Sequence, residues 1–278
     1  VQITSNPVGV LTYLTAYSIW QLKRRAMNPN NLPTLGKISN GDKDFYGNAA
    51  KLKDKNLLLI GFAEHEADEY VAKYNPKSIK MLTKWENHID SKVQKYPLSI
   101  GDICRKTDYE DNMFDAVLTL STLEHLEDLR GATNEMIRIT KNLGNILHLF
   151  GPAWSCAYGH HIYAKVDDPF LNFSLWTMPA HMHLLCTQDE IVDFYIDLGY
   201  DQKVAQSVIH WFFETKIINR LFFDDYLKIF SDSKIQLDSQ ELIYNFLPFN
   251  HRDLLRSIYP GKEDFSTYGA KMNFIVNK

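Results

Sequence analysis

Cysteine is scarce in this chain, and its spacing is irregular. Only Cys104, Cys156 and Cys186 occur in 278 residues, without the close pairs that a zinc site uses. Small secreted domains stabilised by disulfides need many more cysteines than this. The sequence therefore excludes a disulfide framework and predicts a protein of a reducing compartment, the cytoplasm.

Long apolar runs and a strong net charge are also lacking. No apolar segment reaches the roughly 20 residues that a membrane-spanning helix needs, so no membrane span is predicted. The formal net charge is −4 at pH 7, which gives no reason to expect a nucleic-acid partner. Hydrophobic residues make up 45% of the chain, which is enough for a folded core.

The most informative stretch runs from Leu98 to Phe150 and predicts a strand, a helix and a second strand. Phe114–Leu120 is a short apolar run typical of a strand that is covered on both faces. Leu129–Thr140 has the apolar spacing of an amphipathic helix, and Gly144 stands where a glycine ends a helix. Asn145–Phe150 is the second apolar strand. Such a unit predicts a parallel sheet with a right-handed crossover.

Short motifs in the same stretch fall in the order and spacing of one large family. They are Gly101-Asp102, Phe114-Asp115-Ala116-Val117, Leu123-Glu124-His125-Leu126, Glu135-Met136-Ile137-Arg138 and Lys141-Asn142-Leu143-Gly144. Because these motifs match in register, the stretch resembles the methyltransferase-domain group of class I S-adenosylmethionine-dependent methyltransferases. The resemblance is good from Asn56 to Phe150 and loose elsewhere.

This resemblance implies both a fold and a cofactor. The implied fold is α/β, a doubly wound, mostly parallel seven-stranded sheet of the Rossmann-like methyltransferase type with a helical insertion before the last strand. The implied cofactor is S-adenosylmethionine, bound at the carboxyl ends of the strands. The residues that would line its site are Gly61, Phe62, Ala63, Thr83, Asp102, Ile103, Leu120 and Ser121.

The loop after the predicted strand Asn56–Gly61 departs from the family pattern. In the family this loop is rich in glycine, because the backbone must approach the methionine part of the cofactor closely. Here only Gly61 is kept, Ala63 and His65 stand where further glycines are usual, and Leu59 replaces the usual acidic residue. A strand-to-helix turn without a ligand is the alternative interpretation.

The ribose and adenine contacts are the next part of the implied site. The predicted strand Ser78–Thr83 ends in Thr83 where the family has an acid for the ribose hydroxyls, and Glu86 is a nearby substitute. Asp102 keeps the position of the acid that meets the adenine amino group, with the backbone N–H of Ile103 beside it. A plain turn residue is the alternative for Asp102.

A loop rich in histidine and aromatic residues, 151–163, follows the last of these strands and predicts an acceptor pocket. Histidine titrates near neutrality and can take the proton of a hydroxyl acceptor. His160 or His161 is therefore the predicted catalytic base, His161 by preference, with His181 or His183 as its partner. The alternatives are simple packing and a site in which the histidine pairs hold a metal, although no metal is predicted.

The remaining segments are predicted to complete a single domain over residues 1–278. Residues 1–47 form a helical extension, with a helix over Pro7–Met27. Thr187–Glu190 is a capping box that begins the helix Ile191–Leu198.

The last third of the chain is predicted to hold the two final strands. These are Val204–Trp211 and Ala270–Val276, separated by a helical insertion at about 212–267. Helices are expected in this insertion near Ile217–Phe230 and Ser239–Leu247.

The function that the resemblance implies is methyl transfer from S-adenosylmethionine to a small-molecule acceptor. O-methylation of a hydroxyl on a sugar or secondary-metabolite precursor is the expected reaction. The alternative is a methyltransferase-like domain that has lost the cofactor and serves as a binding or assembly subunit. The altered glycine loop favours this alternative, whereas Asp102 argues against it. A homodimer is a possible assembly.

Overall fold

The structure is a computed structural model of the chain. It describes residues 51–84, 95–168, 170–175, 178–244, 247 and 251–278. The predicted N-terminal extension over 1–47, with its helix at Pro7–Met27, and the substitute ribose ligand Glu86 lie outside the described residues.

A mixed sheet is the centre of the fold, and in the described part of the chain it has seven strands in the order β3-β2-β1-β4-β5-β7-β6. The pairs β1–β2, β1–β4, β2–β3 and β4–β5 are parallel, and β5–β7 is antiparallel. The strands are β1 Asn56–Ile60, β2 Ser78–Thr83, β3 Leu98–Ile100, β4 Phe114–Leu120, β5 Thr140–Phe150, β6 Ile235–Tyr244 and β7 Thr267–Val276. The predicted α/β fold with a seven-stranded, mostly parallel sheet is confirmed.

Helices connect these strands within the described ranges. They are α1 Glu64–Tyr70, α2 Leu129–Ile139, α3 Met182–Leu185, α4 Gln188–Asp197, α5 Gln202–Ile209, α6 Phe223–Ser231 and α7 His251–Ile258. A π-helical turn, His210–Glu214, continues α5. None of the described helices is both long and apolar enough to cross a membrane.

The central strands form because their side chains are apolar on both faces. Leu57, Leu59 and Leu118 are fully buried in one core cluster with residues of β2 and β5, as expected for parallel strands covered on both sides. The polar residue at the start of β4, Asp115, accepts a hydrogen bond from Asn56 N at 2.8 Å and pairs with Lys141 at 2.7 Å. Asp115 therefore fixes the beginning of β4 against β1.

The junction between α2 and β5 differs from its prediction. Helix α2 is confirmed, but Gly144 does not end it, because β5 already begins at Thr140. The positive φ of this segment, 60°, belongs to Leu143, and the register between β4 and β5 shifts between Phe114 and Ala116. The irregular pairing of β4 with β5 stands in place of the turn that Gly144 was expected to make at the end of α2.

The predicted strand Val204–Trp211 is wrong, because this segment is helical. Asp201 accepts a hydrogen bond from Val204 N at 2.8 Å and caps α5. Ala205, Val208 and Phe212 are fully buried at spacings of three and four residues, which is the helical period. The cap and this period account for the helix.

The second correction concerns Ser239–Leu247, which was predicted as helical but lies largely in the strand β6. Polar side chains hold β6 to its neighbours. Asp238 accepts from Asn273 Nδ2 at 2.8 Å, and Glu241 pairs with Lys271 at 3.2 Å. The sheet's sixth strand therefore lies inside the segment 212–267, and the final strand predicted at Ala270–Val276 is confirmed as part of β7.

The chain separates into two compact units. The sheet unit contains the described residues up to Gly151, then Asp225–Ile243 and Gly269–Lys278. The second unit contains the described residues of Pro152–Asp224 and Tyr244–Tyr268. The single domain over residues 1–278 stays a prediction.

The second unit has an apolar cluster to which α4 contributes Ile191, Phe194 and Tyr195 and α5 contributes Ala205 and Val208. Helix α4 begins with the predicted capping box, since Thr187 N donates to Glu190 Oε2 at 2.7 Å and Glu190 N donates to Thr187 Oγ1 at 3.3 Å.

Candidate functional site

The carboxyl ends of β1 and β4 define the candidate site in the sheet unit. These neighbouring parallel strands continue in opposite directions across the sheet, β1 towards β2 and β4 towards β5. Open α/β sheets bind ligands at this kind of switch point. Three of the predicted cofactor residues, Gly61, Leu120 and Ser121, lie at these strand ends.

Gly61 is in close contact with the end of β4. Its φ is +81°, and a Cβ added there would lie 1.8 Å from Thr122 Oγ1 and 2.7 Å from the carbonyl oxygen of Leu120. The Thr122 hydroxyl itself lies 2.7 Å from Leu120 O and 3.1 Å from Ile60 O. The two strand ends are therefore joined at a point where only glycine fits.

The rest of the altered glycine loop is short. Phe62 is buried in the sheet core, and Ala63 N donates to Glu66 Oε2 at 2.7 Å, so the helix α1 begins directly after Ala63. His65 therefore lies exposed within α1 rather than in the loop. The position that carries a third glycine in the family is helical here, which explains why a histidine is accommodated.

The predicted adenine and ribose contacts lie at the ends of β2 and β3. Asp102 Oδ1 accepts from Cys104 N at 3.0 Å, and its Oδ2 pairs with Lys84 at 3.0 Å. Burial acts to raise the pKa of Asp102, but the Cys104 hydrogen bond and the Lys84 contact outweigh it, so the pKa lies below its usual value. Asp102 is thus an ionised carboxylate at neutral pH. Gly101 N donates to Thr83 O at 2.9 Å, which brings Thr83 beside this loop.

Glu124 is a buried acid at this end of the sheet that sequence reasoning did not place in the site. It lies in the turn Leu123–His125 and is 2% exposed. Burial raises its pKa to about 8, opposed by the backbone N–H groups of Glu124 itself and Gly151. The signal in the sequence was an acid within the motif Leu123-Glu124-His125-Leu126, just after an apolar strand.

The predicted catalytic histidines lie in the second unit. His160 and His181 are fully buried, whereas His161 is half-buried and has a φ of 54°. The ring of His160 lies against that of His183, one of the predicted pairs, with centroids 5.3 Å apart, and the catalytic role of the pair stays a prediction. His181 Nδ1 lies 3.2 Å from His251 Nδ1.

These buried imidazoles are neutral. Burial lowers the pKa of His181 to about 3 and that of His183 to about 4, and it lowers the pKa of His160 well below its usual value. His181 Nε2 lies 2.9 Å from the carbonyl oxygen of Phe265, so this nitrogen carries the proton and Nδ1 accepts from His251. No group of three or more His, Cys, Asp or Glu side chains in the described ranges is arranged to hold a metal ion.

The comparisons with known proteins agree with the motifs. Residues 60–148 match the family model of the methyltransferase domain, and the described residues of this segment lie in the sheet unit. This match confirms the resemblance to class I S-adenosylmethionine-dependent methyltransferases and makes S-adenosylmethionine the implied cofactor. A search of curated proteins finds no match to this chain.

Solved structures with a similar fold are distant in sequence. A protein from Bacillus halodurans C-125, provisionally assigned as a methyltransferase, is 13% identical, with 86% of this chain and 100% of that chain covered and a TM-score of 0.48. An S-adenosylmethionine-dependent methyltransferase from Mesorhizobium loti is 9% identical, with 81% and 92% covered and a TM-score of 0.47.

The residues at the strand ends fit the implied cofactor. Gly61 and Ala63 are small residues in the loop where the resemblance implies the methionine part of the cofactor, and Asp102 is an ionised hydrogen-bond acceptor. Glu124 Oε2 is buried and has no hydrogen-bond partner among the residues that the structure describes. A buried carboxylate oxygen without a partner is stabilised when it pairs with a cationic ligand.

Proposed function

We propose that this chain transfers the methyl group of S-adenosylmethionine to the hydroxyl of a small molecule such as a sugar or secondary-metabolite precursor. The observation that supports this most strongly is the glycine turn at the switch point of β1 and β4, inside the segment that matches the methyltransferase domain. The same carboxyl edge of the sheet carries the ionised Asp102, after β3, and the buried Glu124, after β4.

For methyl transfer the protein has to align the acceptor with the methyl group and to remove the acceptor's proton. The bound sulfonium supplies an already activated methyl group. Loss of the acceptor proton needs a base, and His160, His161 and His181 stay the predicted candidates for it. A cytoplasmic location and a homodimer also stay predictions.

Calorimetry with S-adenosylmethionine tests the proposal directly. Binding should give a measurable heat, and incubation with methyl-labelled cofactor and a small-molecule extract should label an acceptor. No heat at millimolar cofactor would overturn the methyl-transfer function. The binding or assembly subunit would then stand, which the threonine at the ribose position and the helical His65 favour.

Replacing Asp102 with alanine is predicted to weaken cofactor binding by about 1–3 kcal/mol, because a hydrogen bond to an ionised acceptor is lost. Calorimetry on the wild type and the variant measures the change. Asp108, an exposed acid of the same loop region, provides the control, and Asp108→Ala should bind as the wild type does. Equal affinities for the Asp102 variant and the wild type would leave Asp102 as a turn residue.

A further inference from the structure

Glu124 lies at the same end of the sheet as the glycine turn. The turn Leu123–His125 follows β4 directly, and Gly151, just past the end of β5, donates its N–H to Glu124 Oε1 at 3.3 Å. Because β4 and β5 are parallel neighbours with Leu120 opposite Leu149, both strands end here. The position therefore belongs to the carboxyl edge that carries Gly61.

The carboxyl group of Glu124 makes few contacts that offset the free-energy cost of its burial. Only backbone N–H groups approach it, that of Gly151 at 3.3 Å from Oε1 and that of Glu124 itself, and Oε2 has no hydrogen-bond partner within the described ranges. An ionised carboxylate in such a place is costly unless a cation joins it. In the cofactor-free protein the Glu124 carboxyl therefore keeps its proton at neutral pH, consistent with a pKa of about 8.

The titratable groups on the neighbouring segments do not supply that cation. His125 and Glu127, which follow in the chain, are exposed. On β5, His148 is buried and neutral, since burial lowers its pKa to about 3. On β7, Lys271 is opposite Leu149 and pairs with Glu241 at 3.2 Å. Within the described ranges no cationic side chain pairs with Glu124, so our proposal assigns the cation to a ligand.

We propose that Glu124 is the counter-charge of the cofactor's sulfonium: it is ionised while S-adenosylmethionine is bound and protonated when the thioether product is bound. This inference rests on the proposed function, which places the methionine part of the cofactor at the Gly61 turn. Binding of the sulfonium releases the Glu124 proton to solvent. Once the methyl group has left, the neutral sulfur no longer holds the carboxylate ionised, so the group takes up a proton again.

The free-energy cost of ionising Glu124 is small compared with the free energy gained when the carboxylate pairs with the sulfonium. At pH 7 a group that titrates near pH 8 loses its proton against about a tenfold penalty. A buried carboxylate next to a fixed positive charge gains more than that. Glu124 therefore favours the methyl donor over the demethylated product, which assists release of the product.

Calorimetry at pH 7 in two buffers of different ionisation enthalpy measures the proton release. The wild type should release about one proton more on binding S-adenosylmethionine than on binding S-adenosylhomocysteine. In Glu124→Gln this difference should vanish, and affinity for S-adenosylmethionine should fall about tenfold or more while affinity for S-adenosylhomocysteine changes little. Glu127→Gln removes an exposed acid from the same segment and should behave as the wild type.

The outcomes separate the two proposals. Binding of both ligands with equal proton release, or an unchanged preference in Glu124→Gln, overturns the role of Glu124 and leaves methyl transfer standing. Absence of any binding to the wild type overturns methyl transfer and this role with it. A thermal unfolding transition of Glu124→Gln equal to or above that of the wild type shows that the variant is folded.

Discussion

Replacing Glu124 with glutamine is expected to stabilise the cofactor-free protein by on the order of 5 kcal/mol at pH 9 and to have little effect at pH 4.5. The pKa of this carboxyl rises from 4.5 to about 8 on folding, because the group is buried. Between these values the unfolded chain has released the proton and the folded chain has kept it. Stability therefore falls as pH rises, by about 1.4 kcal/mol per pH unit over about 3.5 units.

Glutamine has the shape of the protonated carboxyl and does not titrate. Glu124→Gln therefore does not lose folding stability at this site as the pH rises. Urea unfolding of both proteins at pH 5, 7 and 9 measures the difference, which should grow with pH up to about 8 and then level off. Glu127→Gln is the matched control, because Glu127 is exposed and its removal should leave the pH slope unchanged. Parallel stability curves for Glu124→Gln and the wild type would contradict a protonated, buried Glu124.

The central strands of the sheet were predictable because their amino-acid composition determines their secondary structure. Runs such as Asn56–Ile60 and Phe114–Leu120 are apolar on both faces, and only a covered parallel strand accommodates them. The capping box at Thr187 was predictable for a similar reason, since both of its hydrogen bonds are local.

Elements at the margins of the sheet were harder to predict. The strand β6 is mostly exposed, so it has no apolar alternation to reveal it, and its place depends on contacts with β7 such as Asp238 with Asn273. Helix α5 was predicted as a strand, a prediction that took no account of the N-terminal cap from Asp201.

The site was predicted in part, since local motifs place the strand ends but do not reveal burial. The positions of Gly61 and Ser121 directly after strands were predicted correctly, and their role in cofactor binding stays a prediction. Glu124 was missed, because its pKa depends on the surrounding fold and on Gly151 after β5. The pairing of His181 with His251 joins residues distant in sequence, and no spacing rule predicts such a contact.

Substituting Gly61 by alanine is expected to destabilise the protein by about 2–4 kcal/mol and to abolish measurable binding of S-adenosylmethionine. The new Cβ would meet Thr122 Oγ1 at 1.8 Å and the carbonyl oxygen of Leu120 at 2.7 Å, at a φ of +81°. The threonine side chain can move, but the carbonyl belongs to the end of β4. The ends of β1 and β4 must therefore separate, and these ends hold the predicted cofactor residues.

Gly199→Ala separates the strain of a positive φ from this clash. Gly199 has a φ of +89°, yet an added Cβ there has nothing within 4 Å, so only the backbone strain of about 1 kcal/mol is expected. Adding Thr122→Ala to the Gly61 variant should recover part of the stability, because it removes the nearest atom and leaves the Leu120 contact. Thermal unfolding and calorimetry measure both effects. If Gly61→Ala costs no more than Gly199→Ala and still binds the cofactor, the strand ends are not held together at this glycine.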